Sequence, residues 1–128
     1  MLDSASGETN GVRMGRLTTH ILDNTRGIPA AGVSIRLFSL RDERELVAAA
    51  TTNSDGRTEE PLLEGTVMVS GTYELEFDVG DYFRNSGADI DDRAFLDTVV
   101  IRFSVNGNEN YHVPLLTTPW SYSTYRGS

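Results

Sequence analysis

The sequence predicts an all-β protein, an antiparallel β-sandwich of seven or eight strands with one short helix. Three observations predict it. Short runs of alternating apolar and polar residues recur along the chain, and turn chemistry built on Gly, Asn, Asp and Pro separates them. Only Gly80-Asp81-Tyr82-Phe83-Arg84-Asn85 reads as helix, and it is about two turns long.

The first strand runs from Arg16 to Asp23 and is closed by Asn24-Thr25-Arg26-Gly27-Ile28-Pro29. In the second, Val33 to Phe38, Val33, Ile35 and Leu37 share one face. A third runs from Glu45 to Thr52 and ends at the turn Asn53-Ser54-Asp55-Gly56. Gly71 to Val79 alternates most clearly: Tyr73, Leu75, Phe77 and Val79 point inward, Glu74, Glu76 and Asp78 toward water. The last two long runs, Phe95 to Val105 and Asn110 to Leu116, flank Asn106-Gly107-Asn108-Glu109, which reads as a hairpin turn.

At 128 residues the chain is one domain, and folding buries roughly two thirds of the surface of such a chain. Residues 1–14 are small and polar and read as a flexible leader, leaving residues 15–128 as the domain. The absence of cysteine excludes disulfides, zinc–thiolate sites and a thiol nucleophile. All 11 basic residues are arginine, which excludes Schiff-base chemistry on lysine. Against 19 acidic residues they leave a net charge of −8, which disfavours nucleic acid and anionic membrane as partners. No run is long and apolar enough to span a bilayer, and the first residues lack the pattern of a secretory signal, so a cytoplasmic location is expected.

Two late strands, at Val99-Val100-Ile101 and Val113-Pro114-Leu115-Leu116, are apolar on both faces. A sheet with one wet face should be polar there, so a second subunit is expected to cover them.

Few residues carry chemistry. His20 and His112 are the only histidines, one near each end of the domain. By period two, His20 shares a face with Thr18 and Leu22, and His112 with Pro114 and Leu116. Each alone reads first as a hydrogen-bonded structural histidine, and two are too few for a zinc site. Arg57, directly after the Asp55-Gly56 turn, reads as a solvated turn arginine or as a planar fork presented to carbonyl or carboxylate oxygens. The segment Trp120 to Ser128 is rich in aromatic and hydroxyl groups, which suggests that it is docked rather than frayed.

The segment His20-Ile21-Leu22-Asp23-Asn24-Thr25-Arg26-Gly27-Ile28-Pro29-Ala30-Ala31-Gly32-Val33-Ser34-Ile35 resembles the N-terminal signature of the transthyretin-like (prealbumin-like) proteins. Tyr111-His112-Val113-Pro114-Leu115-Leu116-Thr117-Thr118-Pro119-Trp120-Ser121-Tyr122-Ser123 resembles their C-terminal signature, so the likeness spans nearly the whole domain. The ending Tyr125-Arg126-Gly127-Ser128 is similar to that of the family's enzyme branch, which opens the ring of 5-hydroxyisourate in urate (purine) catabolism. Thr117-Thr118 and Trp120 depart from the commoner residues of the pattern, which bears on pocket shape alone.

The resemblance implies a homotetramer with sites in channels between subunits, a small-molecule substrate and no cofactor or metal. It implies His20, Arg57, His112 and Ser128 as the catalytic set, all four also touching substrate, with Tyr125 as a further substrate contact. On that footing a histidine activates water, Arg57 offsets the developing oxyanion, and Ser128 binds through its hydroxyl or carboxylate. Arg126 is expected merely to pair with an acidic neighbour. Two other readings fit the early turns and strands: a non-enzymatic β-sandwich binding module, and a transthyretin-type carrier of a small apolar ligand. Neither needs the paired histidines.

Overall fold

Period-two alternation builds the first strand over the residues expected of it. In the computed structural model, which describes residues 14–128, β1 spans Arg16–Asp23, burying Leu17, Thr19, Ile21 and Asp23. The expected leader lies outside the described residues except for Met14. Along the chain follow β2 (Ile28–Pro29), β3 (Ser34–Ser39), β4 (Glu45–Thr51), β5 (Leu63–Glu64), β6 (Gly71–Phe77), helix α1 (Val79–Asn85), β7 (Val99–Val105), β8 (Tyr111–Thr117) and β9 (Tyr122–Thr124).

The strands form two sheets. One has the order β2-β1-β8-β9, with β5 also on β1; the other has the order β4-β3-β6-β7. Every pairing is antiparallel except β1 with β8, which run parallel with Thr18 opposite His112 and His20 opposite Pro114. The inner faces meet through Leu17, Ile21 and Leu115 from one sheet and Ile35, Leu37, Leu75, Phe77 and Val99 from the other, all buried. Helix α1 closes one end with Val79 and Phe83. Each such side chain contributes roughly 1.5–3 kcal/mol by leaving water, so this layer dominates the stability.

Three expectations are corrected. Asn106-Gly107 turns the chain, but β7 and β8 belong to different sheets, so the joint is a crossover and not a hairpin. Its backbone is taken by neighbours: Gly15 N–H donates to the Gly107 carbonyl at 3.0 Å, and Gly107 N–H donates to Ser70 Oγ at 2.8 Å. Residues 95–98 are not strand, and Val79 is buried as the first residue of α1 rather than as the end of a strand.

The third correction concerns the apolar faces. In β7 the one apolar residue that points outward is Val100, beside Arg102 and Ser104, on a charged surface where Arg36 meets Glu76 and Asp78, Arg44 meets Glu76, and Arg102 meets Glu74. Ion pairs dominate the outer face of that sheet, and Arg44 also lies 3.6 Å over the Phe38 ring there. The apolar outer face belongs to the other sheet, where Pro114 and Leu116 of β8 lie beside His20 and Leu22 of β1.

Candidate active site

His20 and His112 come onto one surface because β1 and β8 are neighbours whose outward positions carry them. Their ring centroids are 6.4 Å apart and the planes tilt by 41°. Both are half-buried. Thr18, outward on β1 and directly opposite His112, places its Oγ1 2.9 Å from His112 Nδ1.

Arg57 reaches the same place by a local device. Asn53 Oδ1 accepts from the N–H groups of Asp55 (2.9 Å) and Arg57 (3.2 Å), folding the expected turn. Gly56 then adopts φ +74°, a left-handed conformation that side chains resist. Its carbonyl accepts from Ile21 N–H at 2.8 Å, which sets Arg57 antiparallel to His20 at the edge of β1. The guanidinium is exposed and makes no ion pair with the described residues.

Ser128 arrives along the other edge. Strand β9 pairs with β8, and three residues further Gly127 forms a bridge to His112, donating to its carbonyl at 2.7 Å and accepting from its N–H at 3.1 Å. The tail is therefore docked, though Trp120, Tyr122 and Tyr125 leave their rings largely exposed. Arg126 pairs with Glu109 at 3.2 Å and lies 4.4 Å over the Tyr111 ring, as expected of a structural arginine.

Between these edges lies a cleft of about 490 Å³ whose lining includes Arg16, Thr18, Arg57, Asn110, His112 and Ser128. His20 stands beside it, between Arg57 and His112. Tyr125 does not line it within one protomer. A larger groove, about 610 Å³, lies at Arg41–Glu45 on the far sheet's edge and contains no histidine. Sequence reasoning did not single out Thr18, Arg16 or Asn110; for Thr18 the signal was present, since it precedes His20 by two residues and so shares its face.

The electrostatics keep both imidazoles neutral. Burial, then the Arg57 guanidinium, hold His20 below its ordinary pKa of 6.5, outweighing the opposite pull of the Asp55 backbone and carboxylate. Burial, then Arg57, then His20 hold His112 below 6.5 as well. The site thus offers neutral ring nitrogens, a cation and a hydroxyl around a space open to water. That set can activate water, bind oxygen atoms and move a proton. Among the described residues no group of three or more His, Cys, Asp or Glu side chains gathers as a metal site requires. No helix among them is long and apolar enough to cross a membrane.

A family model described as the HIUase/Transthyretin family matches residues 17–127. The chain belongs to that family. It is 53% identical over 117 residues, 90% of this chain and 100% of the relative, to the 5-hydroxyisourate hydrolase of Ralstonia nicotianae. Among solved structures of the family's fold, the 5-hydroxyisourate hydrolase of Klebsiella pneumoniae has a TM-score of 0.73 at 33% identity, over 88% of this chain and 99% of that one. An (S)-allantoin synthase has a TM-score of 0.86 at 44% identity, over 91% of this chain but only 44% of that one.

Proposed function

We propose that this protein hydrolyses 5-hydroxyisourate to 2-oxo-4-hydroxy-4-carboxy-5-ureidoimidazoline in urate degradation, at the cleft between Arg57 and Ser128. The observation that carries the reading is the convergence of His20, His112, Arg57 and Ser128, distant in sequence, on one outer sheet face. About 50% identity to proteins that bear this activity supplies the substrate class.

A neutral imidazole of the His20/His112 pair takes a proton from water as the water oxygen bonds to a ring carbonyl carbon. Arg57 faces the oxyanion that forms; its guanidinium makes no ion pair with the described residues, and such a donor is worth roughly 3 kcal/mol. Collapse breaks the carbon–nitrogen bond, and the histidine returns its proton to the departing nitrogen. Ser128 holds substrate through its hydroxyl. Water and these side chains suffice without a cofactor. A carrier of apolar ligands would want greasy walls here, where the cleft has charged and hydroxyl groups.

The reading includes a homotetramer, in which the apolar outer face at Leu22, Pro114 and Leu116 is covered by another subunit and the exposed Tyr125 ring becomes a wall of the resulting channel. The test is to generate hydroxyisourate with urate oxidase and follow its ultraviolet decay. Added protein should speed the decay, and His20→Ala, Arg57→Ala and His112→Ala should each lose most of that effect. Decay no faster than the spontaneous background ends the proposal.

A further inference from the structure

We propose that Thr18 is a positioning residue for His112, its hydroxyl fixing the imidazole so that Nε2 is presented to the cleft. The inference rests on the hydrolase reading and adds a residue to it.

The ring is held at Nδ1, and the Gly127 backbone runs beside its root. Thr18 Oγ1 lies 2.9 Å from Nδ1. At Gly127 a side chain would begin 3.1 Å from His112 Cβ and 3.5 Å from Cδ2. With Nδ1 engaged by Thr18, Nε2 is the ring nitrogen that remains for a ligand. The holding group is stiff. Thr18 is the third residue of β1, in register with His112, and a β-branched side chain in a strand has little χ1 freedom.

The choice of a hydroxyl has a chemical consequence. A carboxylate against Nδ1 would favour the imidazolium and raise the pKa. A hydroxyl orients the ring without adding charge, and it serves both protonation states. It accepts from an Nδ1–H, including that of the imidazolium formed when Nε2 takes a proton, and it can donate to a bare Nδ1. Arg57 and His20 both oppose the protonation of His112. The histidine therefore stays neutral and aimed, ready to accept a proton and give it back.

The test compares Thr18→Val, which keeps the shape and removes the hydroxyl, with Thr18→Ser, which keeps the hydroxyl. In Thr18→Val, kcat should fall about tenfold with KM little changed, the effect of losing one neutral hydrogen bond, while Thr18→Ser should stay within about threefold of the native rate. Nitrogen-15 spectra of the ring should show the His112 tautomer populations altered in Thr18→Val and native-like in Thr18→Ser. A Thr18→Val protein with native kcat and native ring shifts overturns the proposal, as does a Thr18→Ser protein equally impaired. Thermal melting of both variants separates a folding defect from a lost orientation. If the native protein itself leaves hydroxyisourate decay unchanged, the hydrolase reading has failed, a result distinct from any failure of Thr18.

Discussion

His20 and His112 stand diagonally across two parallel strands, His20 opposite Pro114 and His112 opposite Thr18, with ring centroids 6.4 Å apart. Neither ring faces a carboxylate side chain closely enough to hold an imidazolium, and Arg57 sits on the cationic side of both balances.

The acid limb of activity should reflect this. Both histidines titrate below 6.5 in the folded protein, burial being the largest cause for each. In the proposed mechanism the neutral form does the work, so activity should be full above the folded pKa and be lost as pH falls through it. The limb of kcat/KM should therefore have its midpoint below 6.5, measured by initial rates between about pH 5 and 8. A midpoint above 6.5, or a flat profile, removes histidine as the base.

Arg57 should resist conservative replacement. Its placement depends on Gly56 and on the Asn53 turn, and what it presents is a planar fork rather than a point charge. Arg57→Lys keeps the charge but not the geometry and should lower kcat by roughly 100-fold, close to the loss of an oxyanion donor. Thermal stability should be unchanged, since the guanidinium is exposed and pairs with none of the described residues. Native-like turnover in Arg57→Lys would show that charge alone matters.

Asp23 should anchor the β1 end of the site. Its carboxylate is fully buried, accepting from Tyr82 Oη at 2.8 Å, Arg26 Nε at 3.2 Å and the Thr25 N–H at 2.9 Å. Burial raises its pKa, but these hydrogen bonds, Tyr82 first, prevail and hold it below the ordinary 3.8. A depressed carboxylate pKa contributes stability that is present above 3.8 and lost as pH falls through the folded value. Tyr82→Phe should cost about 1–3 kcal/mol at neutral pH and reduce the acid sensitivity of the melting temperature. An unchanged melt would show that Arg26 and the backbone suffice.

The sequence made the strands legible wherever alternation ran long enough. β1 and β6 could be read because seven or eight residues carry one pattern against a single core. β2 and β5, at two residues each, and β9, at three, are too short for a period to register. The parallel partnership of β1 and β8 joins residues 94 positions apart and leaves no local trace. Asn106-Gly107 showed how turn chemistry can be right while topology is wrong: the turn exists, but Gly15 and Ser70 take its backbone and the chain passes to the other sheet. Val100 misled because an apolar residue in an edge strand looks alike whether its neighbours are greasy or, as here, charged. Thr18 was legible only as a neighbour of His20 on one face, because nothing in the sequence gives that neighbour a task; the register with His112 does.

That register also decides which face should associate. Leu22 and Leu116 are opposite each other on the outer side of β1 and β8, both half-buried, with Pro114 one outward step away. The opposite sheet is guarded by its arginine–carboxylate ladder, which would have to be stripped of water before anything packed on it. Association should therefore use the first face and leave the second wet. Leu116→Glu places a charge in the middle of that face without disturbing the inner core, because Leu115 rather than Leu116 points inward. Equilibrium sedimentation should show the native chain as a tetramer and Leu116→Glu as smaller species with a native-like fold by circular dichroism. Val100→Glu, on the charged sheet, should leave assembly intact. The reverse pattern, with Val100→Glu dissociating the protein and Leu116→Glu sparing it, would place the contact on the wrong side of the sandwich. The site would then have to work from a single protomer's cleft, without the wall expected from Tyr125.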